Sequence, residues 1–168
     1  MKGIVFFVLS GYLCLDLCFP FAVHATFEKA DKVVVIKSKR LMMLMKECKI
    51  VRAYRVALGQ QPVGHKTKSG DKKTPEGKYV LDSRKTDSKF HLAIHISYPN
   101  GADVANAEQL GAMPGGDIMI HGLPKKMQDV GELHRLTDWT DGCIAVTNKE
   151  MEEIWNLVPN GTPIEIKP

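Results

Sequence analysis

Short apolar runs separated by polar turns occupy most of the chain after residue 30. Residues 31–59 contain three such runs, with the polar turns KSKR and KECK between them. Later runs are too short for helices and are bounded by Gly, Pro or charged residues; they lie at 77–81, 118–121, 144–146 and 164–167. Runs of roughly four to eight residues bounded by turn residues are typical of strands. The pattern therefore predicts a mainly β domain.

The clearest strand signal is the alternation in KFHLAIHISY at 89–98. One face carries the apolar residues Phe90, Leu92, Ile94, Ile96 and Tyr98, and the other carries His91, Ala93, His95 and Ser97. His91 and His95 have the spacing of a metal-binding pair on a helix. On a strand, however, four residues span about 13 Å, which is too far for one ion. We therefore expect a strand with a core face and no metal site.

Two segments favour short helices. Thr147 and Glu150 form a capping box ahead of one apolar helical face, which consists of Met151, Ile154, Trp155 and Val158. A second short helix is predicted within PNGADVANAEQLG at 99–111. With many short strands and one or two short helices, we expect a β-sandwich or a partly closed barrel.

The first 25 residues differ from the rest. A short positive start is followed by an apolar run, and Val23 and Ala25 are small residues where a signal peptidase acts. Asp16 within the apolar run argues against a permanent membrane helix. We predict an export signal at 1–25, cleaved after Ala25, and one domain at 26–168; retention as an N-terminal anchor is the alternative.

Composition excludes few functions. The 168 residues suit a single domain, and 44% hydrophobic with 25% charged residues is ordinary for a soluble globular protein. The net charge of +4 comes from scattered lysines without a long basic block. We expect no nucleic-acid partner.

Two of the four cysteines fall in the predicted signal, which leaves Cys48 and Cys143. In an oxidising compartment these two could form one disulfide, or one could be a nucleophile and the other a bystander. Cys143 follows Gly142, and glycine permits a turn whose backbone N–H groups face a ligand. His121, at the end of its own predicted strand, could activate the thiol for acyl transfer. A small buried cysteine and a structural histidine are the alternative.

Other constellations give weaker signals. His65 and His134 lie in predicted loops, and we expect both to be solvated. The segment GHKTKSGDKKTPEG at 64–77 lacks the spacing of a phosphate-binding loop, and we expect a solvated surface loop. Two of three acidic residues could form the carboxylate pair of a sugar-cleaving enzyme, but surface positions in a loop are the simpler interpretation. The three residues are Glu132, Asp138 and Asp141. The methionines at 42, 43 and 45 are expected in the core.

Three segments carry a resemblance to a known family. IMIHG at 118–122 followed by TDGCIAVTN at 140–148 resembles the L,D-transpeptidase catalytic domain family (YkuD type). That family has His-Gly at a strand end, a variable loop, and then Ser/Thr-x-Gly-Cys. KKTPEGKY at 72–79 is similar to the family's Thr-Pro-x-Gly segment. The resemblance covers about residues 31–168 and implies the family's sandwich-like or partly closed barrel fold with mixed sheets.

The resemblance implies a role for each matching residue. Cys143 would be the nucleophile, His121 the general base and then acid, and Gly122 the carbonyl that orients His121. Gly142 and Cys143 would contribute oxyanion-hole N–H groups. The implied substrates are stem tetrapeptides of peptidoglycan: a thioester forms with loss of D-Ala, and an amine then takes the acyl group in a 3→3 cross-link. No metal or organic cofactor is implied, and both thiols would be free.

The same resemblance implies a location and a biological role. Its substrate lies outside the cytoplasmic membrane, so the predicted signal and the motif agree on export to the periplasm or cell envelope. Peptidoglycan cross-linking would connect the protein with cell-wall biogenesis and cell shape. After signal cleavage we expect no stable membrane span.

Two departures from the family pattern affect recognition. Asp141 stands where many relatives have His or Arg, and Ala145 stands where many have Arg. Asp141 could contact an amine-bearing acceptor. The acceptor stays open between a stem amine, a free D-amino acid, a protein and water. An L,D-carboxypeptidase or other peptidoglycan hydrolase and a non-catalytic wall-binding module are the alternative functions; the third stem residue and the oligomeric state stay undetermined.

Overall fold

The computed structural model describes residues 28–168, and the predicted signal at 1–25 lies outside this range. Eight strands and two α-helices follow one another along the chain. The strands are β1 (Lys32–Ile36), β2 (Leu41–Lys46), β3 (Lys49–Arg55), β4 (Gly77–Ser88), β5 (His91–Ile96), β6 (Met119–His121), β7 (Ile144–Ala145) and β8 (Thr162–Lys167). The helices are α1 (Gly101–Gln109), between β5 and β6, and α2 (Asn148–Leu157), between β7 and β8.

All eight strands form one mixed sheet in the order β3-β2-β1-β8-β4-β5-β6-β7. Most neighbours are antiparallel, while β1 with β8 and β6 with β7 are parallel. The chain after β3 then returns to the far edge: Ala57 pairs with Ala145, and Gly59 forms a bridge with Thr140. These contacts curl the sheet into a partly closed barrel, which confirms the predicted fold class.

The hydrophobic core lies between the sheet and α2. Thr147 caps α2 in a capping box with Glu150, as predicted, and Met151, Ile154 and Leu157 of this helix are buried. Ile94, Ile120 and Ile144 lie opposite one another on β5, β6 and β7. All three are buried on the same side of the sheet. Side chains alternate between faces, so the residues before and after this row point away from the core, and these include His121 and Cys143.

Two expectations about the strands need correction. The apolar pattern predicts a strand at 77–81, but β4 continues to Ser88 because its polar second half pairs with β5 in a long hairpin. Of the three clustered methionines, only Met42 is fully buried. Met43 and Met45 alternate with it along β2 and are partly exposed, since adjacent strand residues face opposite sides.

The expectation of a solvated surface loop at 64–77 is wrong. Lys66 and Asp71 form a 2.8 Å ion pair in which both side chains are nearly inaccessible, at 3% and 6% exposure. The Asp71 carboxylate also accepts the backbone N–H groups of Thr67, Lys68 and Lys73. Buried charges are tolerated when they are paired and hydrogen-bonded in this way. The segment therefore has a defined, hydrogen-bonded structure. It packs behind the edge of the sheet that carries Cys143.

Candidate active site

Cys143 lies at the end of a turn that leads into β7. The Thr140 hydroxyl fixes this turn: it accepts the Gly142 N–H at 3.1 Å and donates to the Cys143 carbonyl at 2.7 Å. Thr140 is buried, and its own backbone pairs with the chain after β3. One side chain thus holds the two residues beside the thiol in a single conformation.

Gly142 is required by both backbone conformation and space. Its φ of +129° lies in a region that L side chains rarely adopt. A Cβ at this position would lie 2.6 Å from the carbonyl oxygen of Lys73, which belongs to the segment at 64–77. The Cys143 turn is therefore pressed directly against the loop that precedes β4. KKTPEGKY at 72–79 and TDGCIAVTN at 140–148, which are distant in sequence, therefore meet at this turn.

His121 is the last residue of β6, and β6 lies beside β7, the strand that follows Cys143. Its Nδ1–H donates to the Gly122 carbonyl at 2.7 Å, which leaves Nε2 as the nitrogen without the proton when the ring is neutral. Gly122 itself is tightly enclosed, because a Cβ there would lie 2.6 Å from Oδ1 of Asn148. That same oxygen accepts the Leu123 N–H at 2.6 Å. The ring orientation is thus set by backbone geometry.

Aromatic rings pack around the His121 imidazole. Its centroid lies 4.4 Å from that of Phe90 in a tilted arrangement and 5.8 Å from that of Trp139 in an edge arrangement. Only 2% of His121 is exposed. Burial lowers the pKa of His121 and outweighs the opposing effect of the Gly122 hydrogen bond. The imidazole is therefore neutral at physiological pH.

The thiol of Cys143 is neutral as well. Burial raises the pKa of this thiol, and the carboxylates of Asp141 and Asp117 raise it further, against the opposing hydrogen bond from Met119 N–H. The sulfur lies 3.6 Å from the Asp117 carbonyl oxygen, to which the thiol donates. Together with neutral His121, this gives a thiol and an imidazole rather than a thiolate–imidazolium pair.

Cys143 and His121 open into one pocket of about 280 Å³. Phe90, Ala93 and Met119 supply its apolar lining. The charged residues of its rim are Lys85, Asp87, Lys89 and Asp117. A thiol and an imidazole that share one pocket with nearby N–H donors can perform acyl transfer.

The other predicted residues are placed at different distances from this pocket. Asp141 is exposed beside the thiol. Asp138 instead pairs with Arg40 at 2.7 Å and accepts the Leu58 N–H, and Glu132 is a surface partner of Arg135. Asp138 and Glu132 thus have separate partners, Asp141 lies beside the thiol, and the structure provides no support for a sugar-cleaving pair.

Of the two histidines that were expected to be solvated, His134 is buried and His65 is only partly exposed. His134 is 3% exposed, and its Nδ1 accepts the Trp139 indole N–H at 3.4 Å. Burial is the largest of several effects that lower the pKa of His134 to about 4. His65 accepts the Glu76 N–H and contacts the buried Asp103 carboxylate at 3.0 Å. Tertiary contacts that a local sequence window does not show bury the His134 ring and bind the His65 ring, whose side chain remains 28% exposed.

The remaining titratable candidates have separate partners. His91 pairs with Glu152 at 3.0 Å, and His95 pairs with Asp82 at 2.7 Å. Cys48 is exposed and Cys143 is half-buried, and both carry free thiols. Within residues 28–168 no cluster of three or more His, Cys, Asp or Glu side chains could hold a metal ion. No helix in the same range is long and apolar enough to cross a membrane.

Sequence reasoning missed three contributors to the site. Thr140 fixes the nucleophile turn, Asn148 fixes the chain after His121, and Lys73 presses its carbonyl against Gly142. Thr140 and Asn148 belong to the motif TDGCIAVTN, so the motif was a signal for them. The contact of Lys73 acts through its backbone, and no side-chain pattern indicates such a contact.

Comparison with known proteins gives a consistent picture. The model of the L,D-transpeptidase catalytic domain (YkuD) matches residues 30–166. The Escherichia coli (strain K12) protein YafK, whose curated name assigns it provisionally to the L,D-transpeptidases, is 28% identical over 132 residues. That match covers 75% of this chain and 46% of YafK.

Solved structures with the same fold include two bacterial proteins. The helical cell shape determining protein Pgp2 of Campylobacter jejuni has a TM-score of 0.63 at 25% identity, covering 84% of this chain and 49% of Pgp2. Bd1075 of Bdellovibrio bacteriovorus has a TM-score of 0.56 at 25% identity, covering 83% and 48%. The chain spans about half the length of these relatives.

Proposed function

This chain belongs to the L,D-transpeptidase catalytic domain family, and from that premise we propose that it is an exported cysteine acyltransferase acting on peptidoglycan stem tetrapeptides. The observation that carries the proposal is the shared pocket of Cys143 and His121. The His121 Nδ1–H is held by Gly122, so Nε2 is the basic nitrogen. Pgp2 is a helical cell shape determining protein, and we extend a role in cell-wall biogenesis and cell shape to this chain.

The proposed reaction has two steps. The Cys143 sulfur attacks the carbonyl between the third stem residue and the terminal D-Ala, while His121 Nε2 takes the thiol proton. The C–N bond breaks, D-Ala leaves with the proton returned by His121, and a thioester remains. An amine of a neighbouring stem then attacks the thioester, His121 removes its proton, and the thiol is regenerated with a 3→3 amide link.

The pKa shifts indicate how the first step begins. Burial raises the pKa of Cys143 and lowers that of His121, so both partners are neutral before reaction. The thiol proton is therefore still on sulfur in the resting protein and has to move to His121 Nε2 during the first step. We infer that His121 acts as a true general base, without a stored thiolate.

The two proposed oxyanion-hole donors, the N–H groups of Gly142 and Cys143, differ in their availability. The Gly142 N–H already donates to the Thr140 hydroxyl at 3.1 Å. It can reach a developing oxyanion only by exchanging that bond. We propose the Cys143 N–H as the principal donor, with Gly142 as a second donor in the transition state.

Product analysis tests the proposal. The protein and its Cys143→Ala variant are mixed with purified disaccharide-tetrapeptides, and the products are identified by mass spectrometry. We expect dimers that have lost one D-Ala with the wild type and none with the variant. Unchanged product formation by the variant would contradict the role of Cys143.

A hydrolase with the same Cys-His pair is the second candidate, because the thiol is partly exposed and water can reach a thioester there. It would release tripeptide monomers and free D-Ala without dimers. A non-catalytic wall-binding module would yield neither product. Labelling of Cys143 by a β-lactam of the carbapenem type separates either enzyme from that module.

A further inference from the structure

The pocket rim carries a lysine that the catalytic chemistry does not use. Lys85 lies on β4 opposite Ala93, and Ala93 lies opposite His121 on β6. Directly opposed residues of neighbouring strands point to the same face, and all three line the Cys143 pocket. Ala93 contributes only a methyl group between them. The arrangement leaves space above Ala93, with Lys85 on one side and His121 on the other.

Stability does not account for the position of Lys85. Its ammonium lies 3.7 Å from the Asp117 carboxylate, and the two side chains are 49% and 84% exposed. Exposed pairs of this kind contribute little to folding. Within residues 28–168 the ammonium makes no hydrogen bond, so its three N–H donors are available at the pocket mouth. The neighbouring Arg84 contrasts with it, because it points to the other face and donates to the Trp155 carbonyl at 2.9 Å.

The position that supplies an arginine in many relatives of the family cannot take this role here. It holds Ala145, which is fully buried and paired with both His121 and Ala57. Ala145 therefore supplies no charge to the pocket. Lys85 is two strands from His121, about 10 Å away at ordinary strand spacing. Its long side chain can cover part of that distance.

We propose that Lys85 is a specificity-determining residue that binds a carboxylate of the donor stem. This proposal rests on the proposed function and deepens it. Two carboxylates of a stem tetrapeptide have the required chemistry: the terminal carboxylate of D-Ala and a side-chain carboxylate on the third residue. The Asp117 carboxylate, 3.7 Å from the ammonium, is the group that a substrate carboxylate would replace. Lys89 adds positive charge to the same rim and Asp87 adds negative charge.

Kinetics with matched variants test the proposal. Lys85→Met removes the charge and keeps the length, Lys85→Arg keeps the charge, and Lys78→Met removes an exposed lysine of the same strand outside the pocket. We expect Lys85→Met to raise KM about tenfold or more with kcat within about twofold, since a charged hydrogen bond is lost. Lys85→Arg should restore most of the loss, and Lys78→Met should match the wild type. Equal KM values for Lys85→Met and Lys78→Met would overturn the proposal.

Amidated substrates identify which carboxylate is bound. One tetrapeptide carries an amide at the terminal D-Ala, and another carries an amide on the side chain of the third residue. If one of these amides removes the difference in KM between wild type and Lys85→Met, the carboxylate that it replaces is the one that Lys85 contacts. If the difference persists with both amides, Lys85 does not bind a stem carboxylate.

Equilibrium binding separates this inference from the proposed function. Binding of the unmodified tetrapeptide is measured with Cys143→Ala and with the double variant Cys143→Ala/Lys85→Met. We expect about tenfold weaker binding by the double variant, even if the wild type shows no turnover. Absence of turnover would count against the proposed reaction alone, and equal affinities would count against Lys85 alone.

Discussion

The two cysteine turns of this protein differ in what surrounds them. Cys48 lies in the tight turn between β2 and β3, with its own φ at +64°, and is exposed. In that turn the Glu47 N–H donates to the carboxylate of Asp31, the residue that precedes β1, at 2.8 Å. Cys143 also follows a residue of positive φ, but its turn contacts the loop at 64–77, the Thr140 hydroxyl and the end of β6.

The contrast shows what makes a turn cysteine a candidate nucleophile. Both turns place a thiol after an unusual backbone conformation, yet only the second brings a histidine into the same pocket. That neighbourhood is assembled from segments that are 20 to 70 residues apart in the sequence. The Cys143 turn is therefore held by several distant segments that together form a pocket, whereas the Cys48 turn is exposed at the end of a hairpin and contacts Asp31 before β1.

Removal of each thiol in turn is the sharpest test of the contrast. Cys143→Ala should reduce turnover of stem tetrapeptides by roughly 10⁴-fold or more, as loss of a covalent nucleophile does. Cys48→Ala should retain full activity, since that thiol touches no part of the pocket. Initial rates of D-Ala release measure both. Comparable losses in the two variants would remove the distinction between the turns.

Removal of the base should have the next largest effect. His121→Gln should lower kcat by roughly 10²–10⁴-fold while the thiol remains available to alkylation. In the wild type, the lowered pKa of His121 keeps the imidazole in its basic form at pH values below the ordinary histidine pKa of 6.5. The acid limb of the kcat/KM profile, which reports groups of the free enzyme, should therefore lie below about pH 6.5. An acid limb well above that value would contradict burial as the dominant influence.

The Cys143 turn should not tolerate a side chain at its glycine. Gly142→Ala adds a Cβ 2.6 Å from the Lys73 carbonyl oxygen at a φ of +129°. We expect the free energy of unfolding to fall by roughly 1–3 kcal/mol and turnover to be lost. Gly70→Ala is the matched control: its φ is +75°, but its Cβ would meet nothing within 4 Å. Urea unfolding and kinetics compare the variants. A Gly142→Ala protein no less stable than Gly70→Ala would show that the contact with Lys73 yields easily.

Acid should weaken the region that holds buried neutral histidines. The folded state lowers the pKa of His134 from 6.5 to about 4. As pH falls below about 6.5 the unfolded chain binds a proton that the folded chain does not bind. Because of His134, the free energy of unfolding should therefore decline by about 3 kcal/mol in total between pH 6.5 and 4. His134→Phe should remove that part of the decline, which urea unfolding at pH 7 and pH 4.5 would measure. Parallel declines in both proteins would contradict a buried neutral His134.

Alkylation rates should give the smallest difference between the thiols. Burial raises the pKa of Cys143, so iodoacetamide labelling of the Cys48→Ala protein should become half-maximal above the ordinary thiol pKa of about 8.5. Both variants are prepared without residues 1–25, which contain the other two cysteines, so that the Cys143→Ala protein reports Cys48 alone under the same conditions. A labelling rate at Cys143 that is already maximal at pH 7 would instead indicate a thiolate–imidazolium pair.

The sequence predicts the strands and the motif residues well for a physical reason. The alternation at 92–98 and the capping box at Thr147 depend on neighbours within a few residues, and both occur as predicted. Phe90 is the exception: it precedes β5 and packs against His121 in the pocket, not with Leu92, Ile94, Ile96 and Tyr98 against the core. The placement of Cys143 and His121 at the ends of adjacent strands follows from the motif. Local patterns carry that information because strands and caps are short-range structures.

The polar parts of the molecule were predicted poorly. His134 and the Lys66–Asp71 pair are buried although their sequence surroundings are those of surface loops. Their burial depends on partners that arrive from elsewhere in the fold, such as Trp139 beside His134. The second half of β4 was missed for the same reason, because its polar residues are ordered by pairing with β5.

The most direct test of cysteine acyl transfer at Cys143 is the intact mass of the protein during turnover. The protein is mixed with a stem tetrapeptide, quenched in acid, and then digested to locate any added mass. We predict a mass increase equal to the mass of the tetrapeptide minus that of free D-Ala, carried by Cys143 and absent from Cys48. Turnover without any adduct on Cys143, or the same adduct on Cys48, would contradict the account.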